Sequence, residues 1–103
     1  MSRKLDAAIA EALGRDNYAK IRWDGNEVYL PHYSTDGNAM LELDREMRER
    51  GWRLSVVFNY EGYYVYYDNP EKGMKVSDKH ELLTKAVALA AYKSLKGKEW
   101  TEE

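Results

Sequence analysis

His32, Ser34 and Asp36 come nearest to a catalytic set in this chain. A base, a hydroxyl nucleophile and an orienting acid are the parts of a hydrolytic triad. Alternating positions of one loop seldom converge on triad geometry, and Ser, Thr and Asp are strong helix caps, so the spacing favours a cap beside a loop histidine over a hydrolase. His32 and His80, with Asp36 or Asp78, lack the helical or loop spacing of a metal site. The reading is a non-enzyme with no metal and no cofactor.

Tyrosine is the compositional outlier: of nine, five are Tyr60, Tyr63, Tyr64, Tyr66 and Tyr67. A tyrosine ring is flat and apolar with a polar tip, which suits interfaces. Tyr64 and Tyr66 fall on one face of a strand and make a candidate platform for a base, a nucleotide or a partner's side chains. The plainer reading is that aromatics are good strand formers and fill cross-strand pairs. His32, Tyr33, Ser34 and Thr35 form a second candidate contact, in the loop before the central helix.

Lys72, Lys75, Lys79 and Lys85 form a modest basic grouping. Helix, three antiparallel strands and helix is also the element order of double-stranded RNA-binding domains, and Lys79 is placed like their phosphate-contacting lysines. Asp78 and Glu81 in the same stretch repel phosphates, and the formal charge of −2 argues against a general nucleic-acid binder.

The elements that must position these residues follow from pattern. Ser2 caps a first helix with Leu5, Ile9, Ala12 and Leu13 on one face, and Gly14 ends it. Ile21, Arg22, Trp23 and Val28, Tyr29, Leu30 flank Asp24, Gly25 and Asn26 as a short hairpin. Pro31 keeps Leu30 extended, and Ser34 or Thr35 caps a helix over residues 36–50 whose Ala39, Met40, Leu43 and Met47 recur at helical spacing until Gly51. On that helix Asp44 with Arg48, and Glu46 with Arg50, read as i,i+4 pairs on a solvated face.

Residues 52–60 alternate, with Trp52, Leu54, Val56 and Phe58 on the side to be roofed by the second and third helices. Glu61 and Gly62 turn the chain, and Tyr63 to Tyr67 return as the antiparallel partner, with Met74, Lys75 and Val76 as a third strand; at a sheet edge, Tyr63 to Tyr67 with both faces apolar would favour a symmetric dimer that extends the sheet. Asp78 and Glu81 match a capping box for the last helix, whose Leu82, Leu83, Ala86, Val87, Leu89, Ala90 and Ala91 form a broad apolar face ending at Gly97. The expected fold is α+β: an antiparallel sheet of three main strands plus the N-terminal hairpin and three helices, in the order α-β-β-α-β-β-β-α. An alpha-beta-alpha sandwich results if the first helix or the hairpin covers the second face of the sheet.

A chain of 103 residues forms one domain, here residues 1–97 with 98–103 as a flexible tail that Trp100 can tether. The absence of cysteine removes disulfides and thiolate chemistry and fits a reducing compartment. No apolar run resembles a secretory signal or spans a bilayer, so the expected location is cytoplasmic.

Leu5, Asp6, Ala7, Ala8, Ile9 and Ala10 followed by Leu13 and Gly14, the run from Pro31 to Asp36, and residues 86–95 together resemble the phage ABA sandwich domain, a family of small phage and prophage proteins. Tyr33, Ser34, Thr35 and Asp36 carry most of that resemblance, and Tyr63 to Tyr67 depart from it in being more aromatic. The resemblance implies an alpha-beta-alpha sandwich of phage origin working in the host bacterial cytoplasm, with no catalytic residues to carry over. The function expected is a non-enzymatic binding module for a host or phage protein or a small nucleotide ligand, existing as a monomer or weak homodimer. The alternatives are a double-stranded RNA-binding domain and a phage anti-defence protein that sequesters a nucleotide signal.

Overall fold

The computed structural model describes residues 4–14 and 30–101. The hairpin expected over residues 21–30, all but Leu30, and the Ser2 cap lie outside them. Three helices and three strands follow in order: α1 (Lys4–Ala12), α2 (Gly37–Glu49), β1 (Arg53–Asn59), β2 (Gly62–Asn69), β3 (Met74–His80) and α3 (Leu83–Lys96). The class is α+β, and the strands form one antiparallel meander in the order β1-β2-β3. The tyrosine strand is therefore its centre and not an edge.

Register assigns the faces. Leu54, Val56 and Phe58 stand opposite Tyr67, Val65 and Tyr63, while Tyr63, Val65 and Tyr67 stand opposite His80, Asp78 and Val76. These residues share the inner face, against which α3 packs along β2 and β3. Val65 and Tyr67 are fully buried there.

α3, and not the capped central helix, is the hub: it touches β2, β3, α1 and α2. A helix enclosed from several sides must be apolar nearly all round. Accordingly Ala86, Val87, Ala88, Ala90, Ala91 and Tyr92 are all buried, and the alanines allow close approach on each side. α1 lays Leu5 and Ile9 into the same core and packs on α3 with no contact to the strands. Of the two coverings expected for the second face of the sheet, α1 is thus not the one.

Several local expectations change with tertiary context. Asp36, and not Ser34 or Thr35, caps α2, its carboxylate accepting the Asn38 N–H at 3.1 Å. Gly51 at φ +88° and Gly97 at φ +73° stop α2 and α3 as expected. The Asp78 and Glu81 capping box does not form, because β3 runs on to His80 and pairs fully with β2. α3 instead has Leu82 at its N-cap without a side-chain bond, and His80 Nδ1 accepts the Leu82 N–H at 3.0 Å. Asp78 faces inward to the Lys93 ammonium at 3.5 Å.

Asp44 is not on a solvated face. It is buried, with Arg48 Nε and Nη2 donating to Oδ2 at 3.0 and 2.7 Å and the Tyr67 hydroxyl donating to Oδ1 at 3.2 Å. Burial first, then the Asp44 charge and hydrogen bond, raise the Tyr67 pKa above its ordinary value, with Arg48 opposing. Trp100 does tether the tail, its ring edge-on to Tyr92 at 5.1 Å.

Candidate functional site

Along β2 the pleat sends Tyr64 and Tyr66 to the face away from the helices. Opposite Tyr64 and Tyr66 stand Val57 and Ser55 on β1 and Lys79 and Ser77 on β3. Arg53, Asp68 and Lys75 complete the row at one end of this outer face. Both tyrosines are half-buried.

The charges on this face are arranged around the rings. The Lys75 ammonium lies 5.1 Å from the Tyr66 ring centroid and that of Lys79 lies 5.7 Å from Tyr64. Such contacts contribute about 0.5–1 kcal/mol when exposed, so they orient the lysines without immobilising them. The Tyr64 hydroxyl donates to Glu61 Oε2 at 3.1 Å. Each ring thus carries a cation over its face, and a lysine that swings aside opens the ring to stack a planar group while its ammonium neutralises an anion attached to that group.

The loop at residues 32–35 belongs elsewhere. Tyr33 is 2% exposed and part of the core. Ser34, also buried, donates its N–H to the Asp6 carboxylate at 3.0 Å and accepts the Thr84 hydroxyl on its carbonyl at 2.8 Å. The segment therefore ties α1 to the start of α3. Only His32 and Thr35 remain exposed, and the His32 carbonyl accepts the N–H groups of Thr35 and Asp36 at 3.1 and 2.8 Å. Tyr33 and Ser34 are thereby corrected from contact residues to structural ones, and the loop does not join Tyr64 and Tyr66 in one site.

His32, Ser34 and Asp36 are spent in the same way: exposed, buried and capping in turn. The four lysines also separate. Lys75 and Lys79 flank the tyrosines, Lys72 sits in the turn before β3, and Lys85 is half-buried on α3, on the helix side of the sheet. They do not form one phosphate-binding surface. Among the described residues no three His, Asp or Glu side chains are grouped to hold a metal, and no helix is long and apolar enough to cross a membrane.

What the sequence reading missed was the pairing of cation with ring. Its signal was present: Lys75 and Lys79 share a parity in β3, and antiparallel pairing beside Tyr64 and Tyr66 puts all four on one face. The chain matches no family model, no curated protein and no solved structure.

Proposed function

We propose that the protein is a non-enzymatic binding module that takes a planar, anionic ligand of the nucleotide class on the outer face of its sheet. The observation that carries this reading is the pairing of Tyr64 with Lys79 and Tyr66 with Lys75 on adjacent strands. Stacking on a tyrosine contributes about 1–3 kcal/mol per base and tolerates any base. A lysine swung toward a phosphate supplies charge without fixing sequence. A small phage accessory protein working in the host cytoplasm, the origin that the family resemblance implies, fits within this proposal.

Calorimetric titration with ribonucleotides and cyclic dinucleotides, alongside gel shifts at low salt with single-stranded and duplex RNA, tests it. Binding of a nucleotide that is lost in the Tyr64→Ser, Tyr66→Ser double variant, with the urea unfolding curve retained, is the expected result. No heat with any nucleotide, or binding indifferent to both substitutions, overturns it. Binding confined to duplex RNA transfers the protein to the double-stranded RNA reading.

A further inference from the structure

The two edges of the sheet are built differently. β3 carries Lys75, Asp78 and Lys79 and lies under α3, the charged and covered kind of edge that resists pairing. β1 has Arg53 as its one charged residue, no proline, and an unbroken register with β2. Its apolar side chains are open on both faces: Val56 and Phe58 on the inner face are 44% and 69% exposed, and Val57 on the outer face is 50% exposed. α2 touches β1, and Trp52 just before the strand is buried, but Val56 and Phe58 farther along it are not.

Backbone groups point the same way. Tyr60 and Glu61 form a two-residue loop, so Asn59 and Gly62 beside it are a hydrogen-bonded pair. By alternation Leu54, Val56 and Phe58 aim their N–H and C=O groups away from β2. Among the described residues no strand pairs with that edge.

We propose that this edge pairs with the same edge of a second copy, antiparallel about a two-fold axis at Val57, joining two sheets into one of six strands. The sequence of β1 is self-complementary in that register. Val57 meets the partner's Val57, Val56 meets the partner's Phe58, and Ser55 meets the partner's Asn59, so apolar faces apolar and polar faces polar. Beyond the ladder, the partner's hairpin loop lies near the Arg53 end of β1, bringing the partner's Tyr60 toward Leu54 and the partner's Glu61 within side-chain reach of Arg53, an exposed opposite-charge pair. Val56 and the partner's Phe58 are both edge-facing, as a hydrogen-bonded pair requires.

Shifting the register by two residues, to centre on Val56, sets Ser55 against the partner's Val57 and leaves Arg53 without an acid. The favoured register also occupies an open groove lined by Asp44, Arg48, Arg53 and Leu54. Tyr60, 97% exposed at the hairpin tip, is the residue it delivers there. This surface borders the tyrosine and lysine rows along β1, where Arg53, Ser55 and Val57 lie on the outer face, and it does not include Tyr64, Tyr66, Lys75 or Lys79.

Sedimentation velocity over a concentration series reads the outcome, with far-UV circular dichroism and urea midpoints as folding controls. The wild type is expected to show a reversible monomer–dimer equilibrium in the micromolar range, and Val56→Lys to shift it to monomer. Phe58→Ser serves the same purpose if Val56→Lys does not fold. Arg53→Glu and Glu61→Arg should each weaken the dimer about tenfold, two charge pairs being affected per dimer, and the double variant should restore it. A wild type that stays monomeric at hundreds of micromolar overturns the proposal. So does a dimer unmoved by the Val56 and Phe58 variants, or charge reversals that the double variant fails to rescue.

Discussion

Tyr66 and Tyr67 are neighbours in β2 with the same side chain and opposite surroundings. Tyr67 is fully buried under the helices, its hydroxyl committed to Asp44. Tyr66 is half-buried on the other face, with a lysine over its ring and, among the described residues, no side chain hydrogen-bonded to its hydroxyl. One step along a pleated strand separates a residue that holds the fold from one available to a ligand. Identity of side chain carries no information about which role applies; register does.

The comparison can be broken most directly at the buried side. Tyr67→Ala leaves a cavity and an Asp44 with fewer donors, and should cost about 3–5 kcal/mol in urea unfolding. A loss near that of a surface substitution would place Tyr67 outside the core. Gly62→Ala comes next: Gly62 has φ +128°, and an added Cβ would lie 2.8 Å from the His80 carbonyl oxygen. Strain of about 1–3 kcal/mol should appear in the same assay, together with a weakened β2 and β3 pairing seen in amide hydrogen exchange.

Tyr67→Phe sharpens the contrast by removing only the hydroxyl, at about 1–2 kcal/mol. It also tests the raised Tyr67 pKa. Above the unfolded tyrosine pKa of about 10, the unfolded chain releases a proton that the folded one keeps, so the Tyr67 contribution is full below that pH and declines as pH rises above it. Denaturation between neutral and strongly alkaline pH should show a smaller alkaline loss in Tyr67→Phe than in wild type. On the outer face, Tyr66→Ser should change stability by less than about 1 kcal/mol, the size of one cross-strand pair. If Tyr66→Ser destabilised the protein as much as Tyr67→Ala, the two faces would not be functionally distinct.

A second contrast concerns charge. Asp44 and Arg48 show i,i+4 spacing and read as an exposed helical pair, because spacing reports only that two side chains share a helix face. Which face that is depends on where Tyr67 lands, and Tyr67 is reached through a strand more than twenty residues on. The same limit explains the loop at residues 32–35. Its short oxygens look like caps or ligands in sequence, and one of them, Asp36, is a cap. Ser34 is instead engaged through its backbone by Asp6 and Thr84, from helices on either side in the chain.

Local signals sufficed wherever the physics is local. Gly51 and Gly97 stop their helices because a left-handed residue is needed there, and glycine adopts it at least cost. The apolar spacings of α1, α2 and α3 and the alternation of β1 located those elements and made the class α+β. The Asp78 and Glu81 capping box failed because pairing with β2 offers β3 a full ladder of hydrogen bonds, which outweighs one cap. Phe58 and Val56 were legible as the inner side of a strand, but not as uncovered, since the roof above them depends on where α2 ends.

Periodicity, capping residues and turn glycines thus determined by themselves that the described residues make three helices and an antiparallel meander, because each depends on contacts within a few residues. Tertiary structure alone decided that α3 is the hub, that Asp44 is interior, that Lys75 and Lys79 cover Tyr66 and Tyr64, and that among the described residues no strand pairs with the free side of β1. Those outcomes rest on which faces meet across the fold, and a face acquires a neighbour only when distant segments pack.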